Sequence, residues 1–170
     1  KAGCDQIEHG VFADDRAIAL MKDANVFFDP NIGLVLQNYV ENKAKFLGAG
    51  NYTDEGFAFM ERAMPTLGPI FKKALDAGLR MPLGTDAVAG AHGQNAREAV
   101  ARVNAGQFPI GALISATSLA AESLGLKTSL GRLAPGYLAD IIAVSGDPSQ
   151  DIAMLRSVTF VMAQGRVVSQ

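Results

Sequence analysis

Cys4-Asp5-Gln6-Ile7-Glu8-His9-Gly10 and Val26-Phe27-Phe28-Asp29-Pro30-Asn31 bracket the stretch whose reading decides the fold. Each is a short segment, the first stopped by glycine and the second by Asp-Pro-Asn turn chemistry. Between them, Asp14 and Asp15 predict the cap of a helix running through Asn25, with Ile18 and Met21 on one face. The unit reads strand, helix, strand.

Outward from it the alternation continues. Residues from Ile32 to about Tyr52 read as a long interruption carrying Asn38, Tyr39, Phe46 and Tyr52. A loop of that length in a compact domain is usually functional or disordered. Thr53 predicts the cap of a helix opening at Asp54-Glu55, which Pro65 either breaks or restarts. Leu67, Ile70, Phe71, Ala74 and Leu75 then follow the spacing of one buried helical stripe, closed by Gly78. Leu79-Arg80-Met81-Pro82-Leu83 reads as a third strand ending in Gly84-Thr85-Asp86, followed by a Gly/Ala-rich loop from Ala87 to Gln94. Asn95 with Glu98 predicts a capping box. Further helices start at Asn95, Pro109 and about Thr117, ending at Gly125.

The character changes near residue 128. Leu133-Ala134-Pro135-Gly136 is turn chemistry, Ile141-Ile142-Ala143-Val144 a buried-type strand, and Ile152 to Leu155 a helical turn. Val158 to Met162 and Arg166 to Val168 predict a hairpin across Gln164-Gly165. The expected organisation is a βα-repeat over 1–127 and a β-rich tail over 128–170. Strands alternating with helices imply a parallel sheet. No G-x-G-x-x-G or P-loop follows any strand, leaving a doubly wound sheet or the last part of a (β/α)8 barrel, which takes about 250 residues when complete.

Composition narrows the function classes. The chain has 170 residues, 49% hydrophobic and 19% charged, with net charge -2, so disorder is excluded. Its 15 Lys and Arg never cluster, which argues against nucleic acid as a partner. No apolar run reaches the roughly 18 residues of a membrane span, so no membrane partner is expected. The single cysteine, Cys4, excludes an internal disulfide framework and reads as a small buried residue. Opening at Lys1 without a targeting pattern, the chain is expected to be the C-terminal piece of something longer, and no compartment is assigned.

Residues with catalytic potential fall at strand ends, where parallel α/β folds carry their sites: His9, Asp29 and Asp86. His9 is either a packing residue beside Glu8 or a metal ligand. Asp86 is either a turn cap or a metal ligand and general base, since a carboxylate beside an activated water can take its proton. His92 is a solvated loop histidine or a substrate contact. Asp29 caps a turn before Pro30 and stays a minor candidate. Tyr39 and Tyr52 are loop packing residues or substrate contacts at a barrel mouth. Asp140 and Asp147 read as structural. A catalytic zinc needs about three protein ligands and an open position, more than His9, Asp86 and His92 securely provide.

Ile7-Glu8-His9-Gly10, Leu83-Gly84-Thr85-Asp86-Ala87, His92-Gly93, the run Ser115 to Gly125 and the run Gly131 to Ile141 together resemble the metal-dependent amidohydrolase superfamily. The pattern looks most like its prolidase branch, the Xaa-Pro dipeptidase and imidazolonepropionase-related proteins. The resemblance implies an α/β fold: the last three β/α units of a (β/α)8 TIM-type barrel, plus the C-terminal part of a small β-sandwich domain. It implies that His9 is the sixth-strand metal ligand, and that Asp86 contacts the metal and shuttles a proton. The implied reaction is hydrolysis of an amide or peptide bond by metal-activated hydroxide. The implied cofactor is a divalent metal, zinc being usual, as one or two ions in the full-length protein.

The family's H-x-H pair, carboxylated lysine and fifth-strand histidine would lie upstream of Lys1. The expectation is therefore an active parent protein and an inactive isolated chain that folds poorly, with two open sheet edges. His92, Tyr39 and Tyr52 are the expected substrate contacts for a dipeptide or other small molecule, and a homo-oligomer is compatible with the sequence. The rival readings are another amidohydrolase, such as a cyclic amidase or deaminase, and a non-catalytic α/β binding module.

Overall fold

The computed structural model describes residues 3–88 and 90–169. Lys1, and Ala89 within the loop expected from Ala87 to Gln94, lie outside the described residues. The element order is β1 (Gln6–Glu8), α1 (Asp15–Asp23), β2 (Phe27–Asp29), α2 (Val35–Glu41), α3 (Lys43–Phe46), α4 (Asp54–Asp76), α5 (Ala96–Asn104), α6 (Pro109–Ala116), α7 (Ser118–Ser123), β3 (Ile141–Val144), β4 (Val158–Ala163) and β5 (Arg166–Ser169). A 3-10 turn, Ile152–Arg156, separates β3 from β4.

The opening unit forms as expected. The Asp14 carboxylate caps α1 by accepting from the Ala17 N–H at 2.7 Å, and Ile18 and Met21 are buried. β1 and β2 pair in parallel, Ile7 opposite Phe28. The third expected strand is reduced to one parallel bridge, Phe27 to Arg80, and the Phe28 N–H donates to the Arg80 carbonyl at 3.0 Å. Pro82 has no N–H to extend that ladder.

Two other expectations need correction. The interruption between Ile32 and Tyr52 is not a structureless loop, because α2 and α3 occupy most of it. Pro65 does not break its helix either: α4 runs through both Pro65 and Pro69. The continuity comes from burial, since Phe57, Ala63, Leu67, Phe71 and Ala74 form one buried stripe whose packing outweighs two lost backbone bonds. That stripe meets Ile18 and Met21 of α1, Phe28 of β2, Ile32, Leu79 and Met81 in the main core.

β3, β4 and β5 make a separate antiparallel sheet, and the β4–β5 hairpin turns at Gln164-Gly165 as expected. β3 is not the buried strand its four apolar residues suggested, for Ile142 is exposed. Cys4 is likewise exposed rather than buried. The tail touches the helices through Ile152, which packs with Ala99 of α5 and Ala112 of α6. No helix among the described residues is long and apolar enough to cross a membrane.

One close approach governs how α5 meets the rest. A Cβ built on Gly33 would lie 2.5 Å from the Ala101 Cβ and 2.8 Å from the Arg97 carbonyl oxygen, so only glycine fits against this helix. Gly33→Ala should destabilise the chain by about 1–3 kcal/mol, the cost of overpacking a tight contact. Urea unfolding would measure it; an unchanged midpoint would contradict this packing.

Candidate functional site

His9 and Asp86 follow the ends of the two extended segments that flank β2, and both adopt left-handed backbone conformations, with φ of 63° and 44°. Non-glycine residues hold such angles only when their surroundings over-determine them, at a cost of order 1–3 kcal/mol each. The surroundings are visible. The His9 N–H donates to the Asp29 carbonyl at 2.8 Å, and the residue after it is Gly10, itself at φ 55°. Thr85, beside Asp86, places its hydroxyl 3.4 Å from the Asn95 side-chain oxygen at the start of α5.

The result is an imidazole facing a carboxylate. His9 Nε2 stands 3.7 Å from Asp86 Oδ2, and the two side chains are 48% and 47% exposed. The separation is too long for a hydrogen bond, so neither group's donor or acceptor capacity is consumed by the other. A ring nitrogen and a carboxylate oxygen are both divalent-metal donors. Among the described residues no third His, Cys, Asp or Glu joins them to make a group of three. The pair therefore suits part of a metal site in donor type and exposure, and closing a three-ligand site takes at least one further donor.

A wall of rings stands near Asp86. Tyr52 and Tyr39 share a hydroxyl–hydroxyl hydrogen bond of 2.6 Å, with ring centroids 4.9 Å apart, and Phe46 packs on Tyr39 at 5.0 Å. Desolvation raises the Tyr39 phenol above its ordinary range, with smaller contributions from the bond to Tyr52 and from the charges of Tyr52 and Asp86. Tyr39 is thus a phenol held neutral within electrostatic range of Asp86. His92 sits exposed on the loop leading to α5, and no hydrogen bond or ion pair links it to His9 or Asp86 among the described residues. The structure brings together His9 with Asp86 and Tyr39 with Tyr52, and leaves His92 apart.

Asp29 is far more than a turn cap. It is 4% exposed, and its Oδ1 accepts from Arg102 Nη2 at 2.8 Å. Arg102, fully buried, also donates from Nη1 to the Pro82 carbonyl at 2.9 Å and from Nε to Glu98 Oε1 at 3.0 Å. Glu98, equally buried, accepts the Ile32 N–H at 2.9 Å and the Gly33 N–H at 2.5 Å. Burial pushes the Asp29 carboxyl up, against the opposing pull of Arg102 and of a hydrogen bond from the Gly84 N–H. The expected capping box is absent: Asn95 is helical at φ -56° with no side-chain cap, and Glu98 turns inward instead. Glu98 and Arg102 went unread as site neighbours. Their visible signal is a Glu/Arg pair at i, i+4 facing the same way as the small residues that bury against α5.

An apolar groove elsewhere, between α5, α6 and the tail sheet, is lined by Leu83, Ala99, Leu113, Ile142 and Leu155. It contains neither the imidazole nor the carboxylates.

The amidohydrolase family model matches residues 1–168. Ochratoxinase from Aspergillus niger is 30% identical over 98% of this chain but only 34% of its own length. The crystal structure of a Xaa-Pro dipeptidase with methionine bound in the active site superposes with a TM-score of 0.85 at 34% identity, covering 98% of this chain and 40% of that one. A prolidase complexed with N-methylphosphonate-L-proline gives a TM-score of 0.88 at 26% identity, covering 99% and 41%. The chain thus spans about a third of the curated relatives it matches, with 34% of the ochratoxinase covered. With its mixed α/β fold and a match along nearly its whole length, it belongs to the amidohydrolase family.

Proposed function

We propose that this chain supplies part of the active site of a metal-dependent hydrolase acting on C–N bonds, with a dipeptide ending in proline as the favoured substrate. The observation that carries the reading is the exposed His9–Asp86 pair, 3.7 Å apart at the ends of the two segments that flank β2, in a chain of this family. Within the reading, residues 1–127 are the last three β/α units of a TIM-type barrel and residues 128–170 part of a β-sandwich. The remaining metal donors come from outside the chain, so the chain by itself does not hydrolyse peptides.

His9 Nε2 and Asp86 Oδ2 would hold a divalent cation, zinc in this reading. Once bound, the cation supplies Lewis-acid polarisation and a water of lowered pKa. Asp86 accepts the proton of the attacking water on its other carboxylate oxygen, Oδ1, and returns it to the departing nitrogen as the C–N bond breaks. Tyr39, kept neutral by burial, donates its O–H to a substrate oxygen, with Tyr52 orienting it. His92 contacts the far end of the substrate.

A second reading, a different amide substrate, is favoured by the ochratoxinase likeness. A panel of Xaa-Pro dipeptides, ochratoxin and cyclic amides, offered to the full-length protein with zinc, separates the two. Preferential cleavage of the dipeptides supports the first reading; cleavage of another member alone supports the second.

Substitution tests the assigned roles. His9→Ala and Asp86→Asn should each lower kcat at least about a hundredfold, the scale of a lost general base. Retained activity in both would remove the pair from the chemistry. His92→Ala should raise KM more than it lowers kcat, the signature of a binding contact; the reverse would give it a place in the chemical step.

The raised Tyr39 pKa predicts a pH dependence. Its folded value exceeds the unfolded one, so the folded state keeps the proton longer. The contribution is fully present below the ordinary phenol range and is lost as pH rises through the folded value. Phenolate absorbance should show one of the 3 tyrosines ionising late, and Asp86→Asn should bring it partly back. Three ordinary titrations would contradict the arrangement.

A further inference from the structure

The ion chain Asp29–Arg102–Glu98 is buried, and among the described residues no side-chain hydrogen bond or ion pair joins it to His9 or Asp86. Its connections nevertheless converge on both. The Asp29 carbonyl receives the His9 N–H at 2.8 Å, so the backbone of β2's last residue fixes where β1 ends. The Asp29 carboxylate faces the backbone of Gly84, two residues before Asp86, and the Gly84 N–H pulls against the upward shift of its carboxyl. A Cβ on Gly84 would fall 1.9 Å from Asp29 Oδ2, so the segment lies directly on the carboxylate. Arg102 grips the same segment from below through the Pro82 carbonyl at 2.9 Å and the Met81 carbonyl at 3.3 Å.

Such a chain is a poor device for stability alone. Desolvating three charges is costly, and apolar replacements of equal volume often do as well. What it provides is geometry: a planar guanidinium with donors in fixed directions, held at both ends by carboxylates. Asp29 is the point where the two candidate ligand segments and the ion chain meet.

We propose that Asp29 and Arg102 are positioning residues, which set the His9–Asp86 separation by locking the Gly84–Asp86 segment onto the end of β2. The inference rests on the reading of His9 and Asp86 as the working pair. Asp29→Asn is the direct probe, because it puts an NH2 in place of either Oδ1, which holds Arg102, or Oδ2, which lies against Gly84. In the full-length, zinc-loaded enzyme this variant should lower kcat about 10- to 100-fold, the effect of a misplacement near 1 Å. KM should stay within about threefold, since the proposed substrate contacts lie elsewhere.

Amide hydrogen exchange supplies the readout that a purely structural role would not move. In Asp29→Asn the amides of Gly84, Thr85 and Asp86 should exchange at least about tenfold faster, while those of Leu67 to Ala74 in α4 keep their protection. A lowered Tm with unchanged kcat and unchanged exchange at Gly84 would overturn the proposal. Arg102→Lys, which keeps the charge and loses the fork, is read by the same measures if Asp29→Asn does not fold. In the unsubstituted protein the Gly84 amide should exchange as slowly as those of α4, and exchange at the rate of an open loop would by itself overturn the proposal. His9→Ala and Asp86→Asn separate the two levels of inference. If they leave activity intact, the site assignment fails; if they abolish activity while Asp29→Asn does not lower it, only the positioning role fails.

Discussion

A buried guanidinium must satisfy its donors without water, and the rest of this structure is arranged around that requirement. Arg102 is fully buried, its fork facing Asp29, Glu98 and the carbonyls of Met81 and Pro82, with the Phe71 ring 5.5 Å away. Removing any one partner would leave a charge stranded in the interior, at about 3–5 kcal/mol. The constraint propagates outward. The turn at Ile32 and Gly33 must bring two N–H groups to Glu98, the end of β2 must point a carboxylate inward, and the third extended segment must run where its carbonyls can accept.

The left-handed angles at His9 and Asp86 follow from the same arrangement. Neither conformation is favourable for a residue with a Cβ, and each is stabilised by what flanks it: the Asp29 carbonyl at His9, the Asp29 carboxylate and Asn95 near Asp86. Left-handed backbone at a strand end turns the side chain out of the pleat. Both side chains are thereby half exposed although the β2 strand between them is buried throughout. Exposure and precise placement are thus obtained from a single buried framework rather than from contacts between the two side chains.

Much of this was legible in the sequence, and what was not has a physical reason. The first unit was readable because Asp14, the Ile18/Met21 face and the Asp-Pro-Asn turn are local signals, satisfied within a few residues. His9 and Asp86 were readable because they close such units. The α2 and α3 segment was missed because its polar and aromatic residues lack a sustained apolar stripe; α2 is helical because Val35 and Asn38 are buried against the rest of the fold, and α3 is a single turn that buries no residue. Pro65 looked like a break because propensity is local, whereas the stripe of α4 is a tertiary property. Glu98 illustrates the same limit most sharply. Three residues after Asn95 it satisfies the capping pattern, yet its carboxylate is spent on N–H groups more than sixty positions away in sequence.

The tail enters through the other face of the same helix. Ala99 follows Glu98 directly and packs with Ala112 and with Ile152 of the 3-10 turn, so α5 lies between the ion chain on one side and the tail on the other. A helix of nine residues has little independent stability in water, and its position is set by what it is pressed against. Gly33 permits the approach from one side, and Ile152 closes it from the other. The β3–β5 sheet carries none of the candidate chemistry, but the 3-10 turn between β3 and β4 packs on the helix that carries Arg102. The candidate strand ends and the distal sheet are therefore packed against the same two helices, α5 on its two faces and α6 through the Leu83 N–H bond to the Ser115 carbonyl at 2.9 Å on one side and the Ala112–Ile152 contact on the other.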